Sequence, residues 1–189
     1  MKDYSLFMLA ILPMIVILYP SKIIGFQSNL IKLKPHQQWN CHFEGNTCNI
    51  MNQAKMPTNF QLISKTLFGE TGSYYLDVSN CRKSGARLIT PYFRWNDRTT
   101  SACLLIKYIH YGNGVTIVNI IKQDRSNQIL WSKSLPNSGF WHHMLINVPL
   151  IRAQPVRFFI ETIIVSNNMN RMGFFAISKI TLSDSNCDR

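Results

Sequence analysis

Five thiols carry the most versatile chemistry in this 189-residue chain: Cys41, Cys48, Cys81, Cys103 and Cys187. Cysteines at such positions either oxidise to disulfides or ligate soft metals. Zinc sites draw on closely paired C-x-x-C ligands, and here no such pair occurs and the spacings are scattered. Disulfides are therefore the expected chemistry if the chain is exported, and the odd count leaves one thiol over. No metal site is assigned.

Hydrolytic chemistry has little to work with. Beyond the first residues the carboxylates are Glu44, Glu70, Asp77, Asp97, Asp124, Glu161, Asp184 and Asp188. Glycoside hydrolysis needs an acid and a base facing each other, and no E-x-D-x-x-E cluster is present. His142-His143 lacks the glutamate and third ligand of a zinc protease, and G-x-S-x-G is absent. In a strand the two imidazoles point to opposite faces, one inward and one outward, as ordinary packing demands. Trp131 and Trp141 read as core residues. No catalytic residue and no cofactor follows, and the chain reads as a non-enzyme, with glycan hydrolysis a distant alternative.

The basic residues are the other feature. Net charge is +11, and without residues 1–25 there are still 18 basic against 8 acidic residues. For an exported protein such a balance suits sulfated glycans or anionic surfaces rather than nucleic acid. Arg82, Lys83 and Arg87 lie close together, Arg94 and Arg98 follow, and Arg152 and Arg157 bracket a later turn. These are the candidate anionic-ligand residues, with Arg82, Lys83, Arg87, Arg94 and Arg98 foremost. A scattered solvated surface is the competing reading, because one dimension does not show whether they converge.

The elements that position these residues begin with an apolar run, Leu6 to Tyr19, closed by Pro20. It is too short for a comfortable membrane span and suits a signal-peptide core, with cleavage after Gly25. An uncleaved signal anchor is the competing reading. No second run of that kind follows, so no transmembrane anchor is expected and the product reads as secreted. Residues 26–37 form a leader broken by Pro35, and residues 38–189 form one domain. Only 15% of residues are charged and 46% are hydrophobic, which excludes a disordered chain and permits a buried core.

Short runs rich in β-branched and aromatic residues recur from Gln38 onward, with turn residues between them. Val156, Phe158 and Ile160 alternate with Arg157, Phe159 and Glu161, as a half-buried strand requires. CLLIKYIHY at 103–111 and VTIVNIIK at 115–122 flank Gly112-Asn113-Gly114, which predicts a hairpin. About ten such strands, without a helical stripe or a repeat, describe an all-β antiparallel sandwich.

Six pieces in order resemble the MAM domain family. They are Cys41-His42-Phe43-Glu44 with Cys48; Thr71-Gly72-Ser73-Tyr74-Tyr75; Ala86-Arg87-Leu88-Ile89-Thr90-Pro91; Cys103-Leu104 with Tyr108 and Gly112; Leu130-Trp131 with Gly139 and Trp141; and Ala176-Ile177 through Cys187. Ile106 stands where the family usually has an aromatic residue. The resemblance implies a jelly-roll-like β-sandwich stapled by Cys41–Cys48 and Cys103–Cys187 disulfides. It implies an extracellular recognition or adhesion role toward another protein or a second copy. It also implies that Cys81, beside Arg82 and Lys83, joins subunits in a disulfide-linked homodimer, against the alternative of a quiet free thiol.

Some members of that family hold a structural cation. Glu44 is retained here, but the other acidic positions read Ser64-Lys65-Thr66 and Ser178-Lys179, which a hard cation does not favour. Lys65 or Lys179 is expected either to replace the cation's charge toward Glu44 or to face solvent.

Overall fold

The computed structural model describes residues 30–77, 84–96, 98–112, 115–165 and 173–187. The signal peptide read over residues 1–25 lies outside them, as do Cys81, Arg82, Lys83, Asp97 and Asp188. Among the described residues no helix is long and apolar enough to cross a membrane. Thirteen strands are formed there. They are β1 (Leu30–Lys32), β2 (Trp39–His42), β3 (Met51–Asn52), β4 (Gln61–Leu67) and β5 (Glu70–Asp77). Then follow β6 (Ser84–Ile89), β7 (Tyr92–Arg94), β8 (Ser101–Gly112) and β9 (Val115–Gln123). The last four are β10 (Asn127–Ser134), β11 (His142–Pro149), β12 (Arg157–Val165) and β13 (Gly173–Ser183).

Two antiparallel sheets pack face to face. One runs β10-β9-β12-β6-β3; the other runs β11-β8-β13-β5-β4, with β2 also paired to β13. The inner faces supply the core: Leu88, Ile120, Phe158 and Ile160 from the first sheet, Leu104, Ile106, Phe175 and Ile180 from the second. Alternation along each strand produces this directly, since side chains two apart share a face. The result is the jelly-roll-like β-sandwich. A small departure from the antiparallel plan is β1, which pairs parallel to β7. The leader thus enters the fold through β1 and the buried Leu33.

The predicted hairpin at 103–122 is corrected. β8 lies between β11 and β13 in one sheet, whereas β9 lies between β10 and β12 in the other. β8 is therefore followed by a strand of the other sheet rather than by its own neighbour, and Asn113 and Gly114 of the turn signal lie outside the described residues. Turn residues that tolerate positive φ serve an arch between sheets as readily as a hairpin. What decides is the long-range pairing of β8 with β13 and of β9 with β12, which local sequence does not report.

Among the described residues two disulfides are present: Cys41–Cys48, with Cα atoms 5.9 Å apart, and Cys103–Cys187, at 4.9 Å. The second joins β8 to the residues just beyond β13, where the Asn147 side chain also accepts the Cys187 N–H at 2.9 Å.

His110 faces the core from β8 at 1% exposure. Its Nδ1 lies 3.2 Å from the Pro136 carbonyl, and its Nε2 is buried without a partner. Burial pushes its pKa down, only partly opposed by the Pro136 contact. The unfolded chain then binds more protons than the folded one below the usual histidine value of about 6.5. The neutral ring's stabilising contribution is complete above that pH and is lost as pH falls through it. Thermal melting at pH 7.5 and 5.5 checks this: the wild type loses melting temperature on acidification, and His110→Gln loses less. An identical pH response in both proteins would exclude His110 as the cause.

Candidate functional site: two open sheet faces

The outer face of the first sheet carries a hydrogen-bonded array. Register places Glu161 on β12 opposite Arg87 on β6 and Asn119 on β9. The Arg87 guanidinium donates to Glu161 Oε1 through both Nε and Nη2, and Nη1 donates to Gln53 Oε1 at 2.9 Å. Asn119 Nδ2 donates to Glu161 Oε2 at 3.0 Å. Burial works to raise the Glu161 pKa, but the hydrogen bonds from Asn119 and Arg87 and the Arg87 charge outweigh it and hold the carboxyl below its usual range. Glu161 is thus an ionised acceptor with its lone pairs committed.

Aromatic stacking extends the array. The Arg87 and Arg157 guanidinium carbons lie 5.5 and 5.1 Å from the Phe159 ring centroid, and Arg157 also lies 4.6 Å from that of Tyr92. Arg157 Nε donates to Gln123 Oε1 at 2.6 Å, fixing the guanidinium in place. Exposed Met51, Ile129 and Ile163 surround this patch. Beyond it, Lys32 and Arg94 sit in register on β1 and β7, both exposed. The array's carboxylate, Glu161, has both oxygens engaged, by Arg87 and by Asn119.

The second sheet's outer face is shaped by the β4–β5 hairpin, whose tip folds over it. Gly72, at φ 74°, allows β5 to pass against the backbone of Phe43 and Glu44. The tip is fastened by Trp141, whose Nε1 donates to the carbonyls of Leu67 (3.3 Å) and Phe68 (3.1 Å). Lys107 on β8 adds an ion pair to Glu70 at 2.5 Å. Phe68 occupies the left-handed region at φ 46°, an uncommon and costly conformation for a bulky side chain. That conformation lays its ring on Phe174 (centroids 5.9 Å apart) and near Tyr111 (6.3 Å). Tyr75 and Tyr111 contact Phe174 at 5.2 and 5.8 Å. Phe68 remains 54% exposed, Tyr111 48%, and Phe140, which precedes Trp141, 75%.

The residues singled out from sequence divide clearly. Arg87 is built into the array and Arg94 lies near its end, whereas Arg98 lies elsewhere. Arg98 lines an open groove of about 620 Å³ with Pro35, His36, Asn96 and Asp184. Glu44 is exposed and takes part in none of the ion pairs among the described residues, so neither Lys65 nor Lys179 supplies its countercharge. The Ser64 side chain is exposed, and the Ser178 hydroxyl is buried without a partner. His142 packs on Tyr108 at 5.7 Å while His143 is exposed. Trp131 is half-buried against the core; Trp141 is not a core residue but the clasp of the hairpin tip. The exposed ring cluster has no counterpart among the sequence expectations. Its signal is Phe68-Gly69, an aromatic residue at a turn between two alternating strands.

The sequence profile of the family described as MAM domain, meprin/A5/mu, matches residues 41–188. No curated protein matches the chain. Several solved structures share the fold at low identity. The K1 cleaved adhesin domain of Lys-gingipain from Porphyromonas gingivalis is 10% identical with a TM-score of 0.54, over 78% of this chain and 98% of that one. The CBM22-1–GH10 modules of a Clostridium thermocellum endo-1,4-beta-D-xylanase, complexed with xylohexaose, are 13% identical with a TM-score of 0.53. That likeness covers 77% of this chain and 28% of the other. A xylan-binding domain from CBM 22 is 12% identical with a TM-score of 0.50, over 79% and 94%.

Proposed function

The chain belongs to the MAM domain family, meprin/A5/mu, and from that premise we propose that it is a secreted module for protein–protein contact, self-association included. The observation that carries this reading is the ring cluster of Phe68, Tyr75, Tyr111 and Phe174, kept exposed at the expense of backbone strain at Phe68. Exposed aromatic residues surrounded by polar ones are the usual energetic centres of protein interfaces. A disulfide through Cys81 would make such a dimer covalent.

Sedimentation of the secreted protein tests the reading. Phe68→Ser with Tyr111→Ser is expected to weaken self-association at least tenfold, as removal of about one interface anchor would. Gel migration with and without reductant reports the Cys81 link separately. A wild type that is monomeric at every concentration, in both gel lanes, would remove self-association from the proposal.

A second reading, binding of sulfated glycans, is favoured by the exposed Lys32–Arg94 pair beside the Arg157–Tyr92 stack. The likeness to structures described as xylan-binding agrees with a glycan partner in general but supports only the fold.

A further inference from the structure

Four side chains line up across neighbouring strands on the outer face of the second sheet: His42 (β2), Lys179 (β13), Lys107 (β8) and His143 (β11). Register places Lys179 opposite His42 on one side and Lys107 on the other, and Lys107 opposite His143. Their outward direction follows from their neighbours, because Cys41, Ile180, Ile106 and Met144 are all buried in the core. At ordinary strand spacing the row spans about 14 Å.

As a purely structural feature this row is unfavourable. Like charges placed directly opposite each other destabilise an antiparallel pair. Glu70 relieves Lys107, but Lys179 has no acidic partner among the described residues. The two flanking positions, where an acid would relieve the lysines, hold histidines instead. Positive charge kept at a cost to folding is the mark of a site held for a ligand.

We propose that this row is an anion-binding strip for a linear sulfated polysaccharide lying across the strands. The proposal rests on the glycan-binding reading and locates it on the opposite face from Arg87 and Arg94. An acidic peptide would dock by adding a strand to a sheet edge. The row instead runs across a face from β2 to β11, and its two lysines sit on β13 and β8, whose backbone groups are paired on both sides. A single phosphate favours a concave nest of N–H groups or an arginine fork. The Lys179 ammonium group, unpaired among the described residues and flanked along the row by the imidazoles of His42 and His143 and by Lys107, offers hydrogen-bond donors at regular intervals on a flat face, which match anions repeated along a chain. The neighbouring row on the same four strands holds Asn40, Thr181, Leu105 and Leu145 and bounds the strip on that side, with Thr181 buried. There Thr181 donates to Asn40 at 2.8 Å, and Leu145 is 54% exposed.

Heparin serves as the probe. Each charge–charge attraction is weak and screened, so wild-type retention on heparin resin falls steeply with salt. Lys179→Glu is expected to weaken heparin binding about tenfold, because an attraction at the surface becomes a repulsion of similar size. The same variant places an acid opposite Lys107 and is expected to melt no lower than wild type, which separates weakened binding from misfolding. Lys133→Glu, which reverses one exposed charge on β10 of the other sheet, leaves the elution little changed, and Lys32→Glu with Arg94→Glu tests the other face. Wild-type protein that fails to bind heparin would overturn both this proposal and the glycan reading. Retention that is insensitive to Lys179→Glu but abolished in the Lys32/Arg94 variant would overturn the location alone.

Discussion

Replacing Cys103 and Cys187 with serine is expected to lower stability by about 4–5 kcal/mol, and the melting temperature by roughly 10–20 °C. The bond spans 84 positions of sequence, whereas Cys41–Cys48 spans 7. In the chain-entropy account a longer loop constrains the unfolded chain more, so the corresponding Cys41/Cys48 variant is expected to lose only about 2–3 kcal/mol. The folded geometry sharpens the difference. β13 is the central strand of its sheet, paired with β8 along one edge and with β5 and β2 along the other. Cys187 follows just after it, so the bond ties the C-terminal end of this central strand to β8. Guanidinium unfolding of both double variants tests the ordering. If the Cys41/Cys48 variant proved the less stable, loop length would not be what governs the two bonds.

Much of the architecture is legible in the sequence because strand alternation is a local property. Val156, Phe158 and Ile160 fall on one face by alternation, and all three are in the core. Family motifs supply the order of the pieces, which periodicity alone cannot. The β8–β9 link is illegible because the same turn residues suit two topologies, and only the partners of the flanking strands distinguish them. The site is less legible still. Arg87 can be named from sequence but not its engagement with Glu161 and Gln53, which come from strands distant in sequence. Likewise Lys107 and Lys179 become opposed only through the register of β8 with β13, and the bulge between Ile177 and Lys179 shifts that register by one residue. Such a shift reverses which face a side chain occupies.

The hairpin tip provides the second large effect, because its position depends on one glycine. A Cβ added at Gly72 would lie 2.4 Å from the Phe43 carbonyl oxygen and 2.7 Å from the Glu44 nitrogen. Both are backbone atoms, in a segment held by the buried Phe43 and by the Cys41–Cys48 bond, so neither can easily withdraw. The φ of 74° adds backbone strain for any side chain. Together these make Gly72→Ala cost about 3–5 kcal/mol, combining overpacking with an unfavourable backbone conformation. Gly69→Ala is the natural comparison, since its φ is 84° but nothing lies within 4 Å of the added carbon. Backbone strain alone makes that change cost about 1–2 kcal/mol. The two variants also differ in what they do to the surface. Relieving the clash at Gly72 requires the tip to lift, which removes the carbonyl acceptors from Trp141, separates Glu70 from Lys107 and takes Phe68 off Phe174. Gly72→Ala is therefore expected to change the Trp141 environment, reduce self-association and expose Lys107 to an anionic ligand. Thermal melting, tryptophan fluorescence and sedimentation on the same samples test this chain of consequences. Equal effects from the two glycine variants would show that backbone strain, not the approach to Phe43, sets the position of the tip.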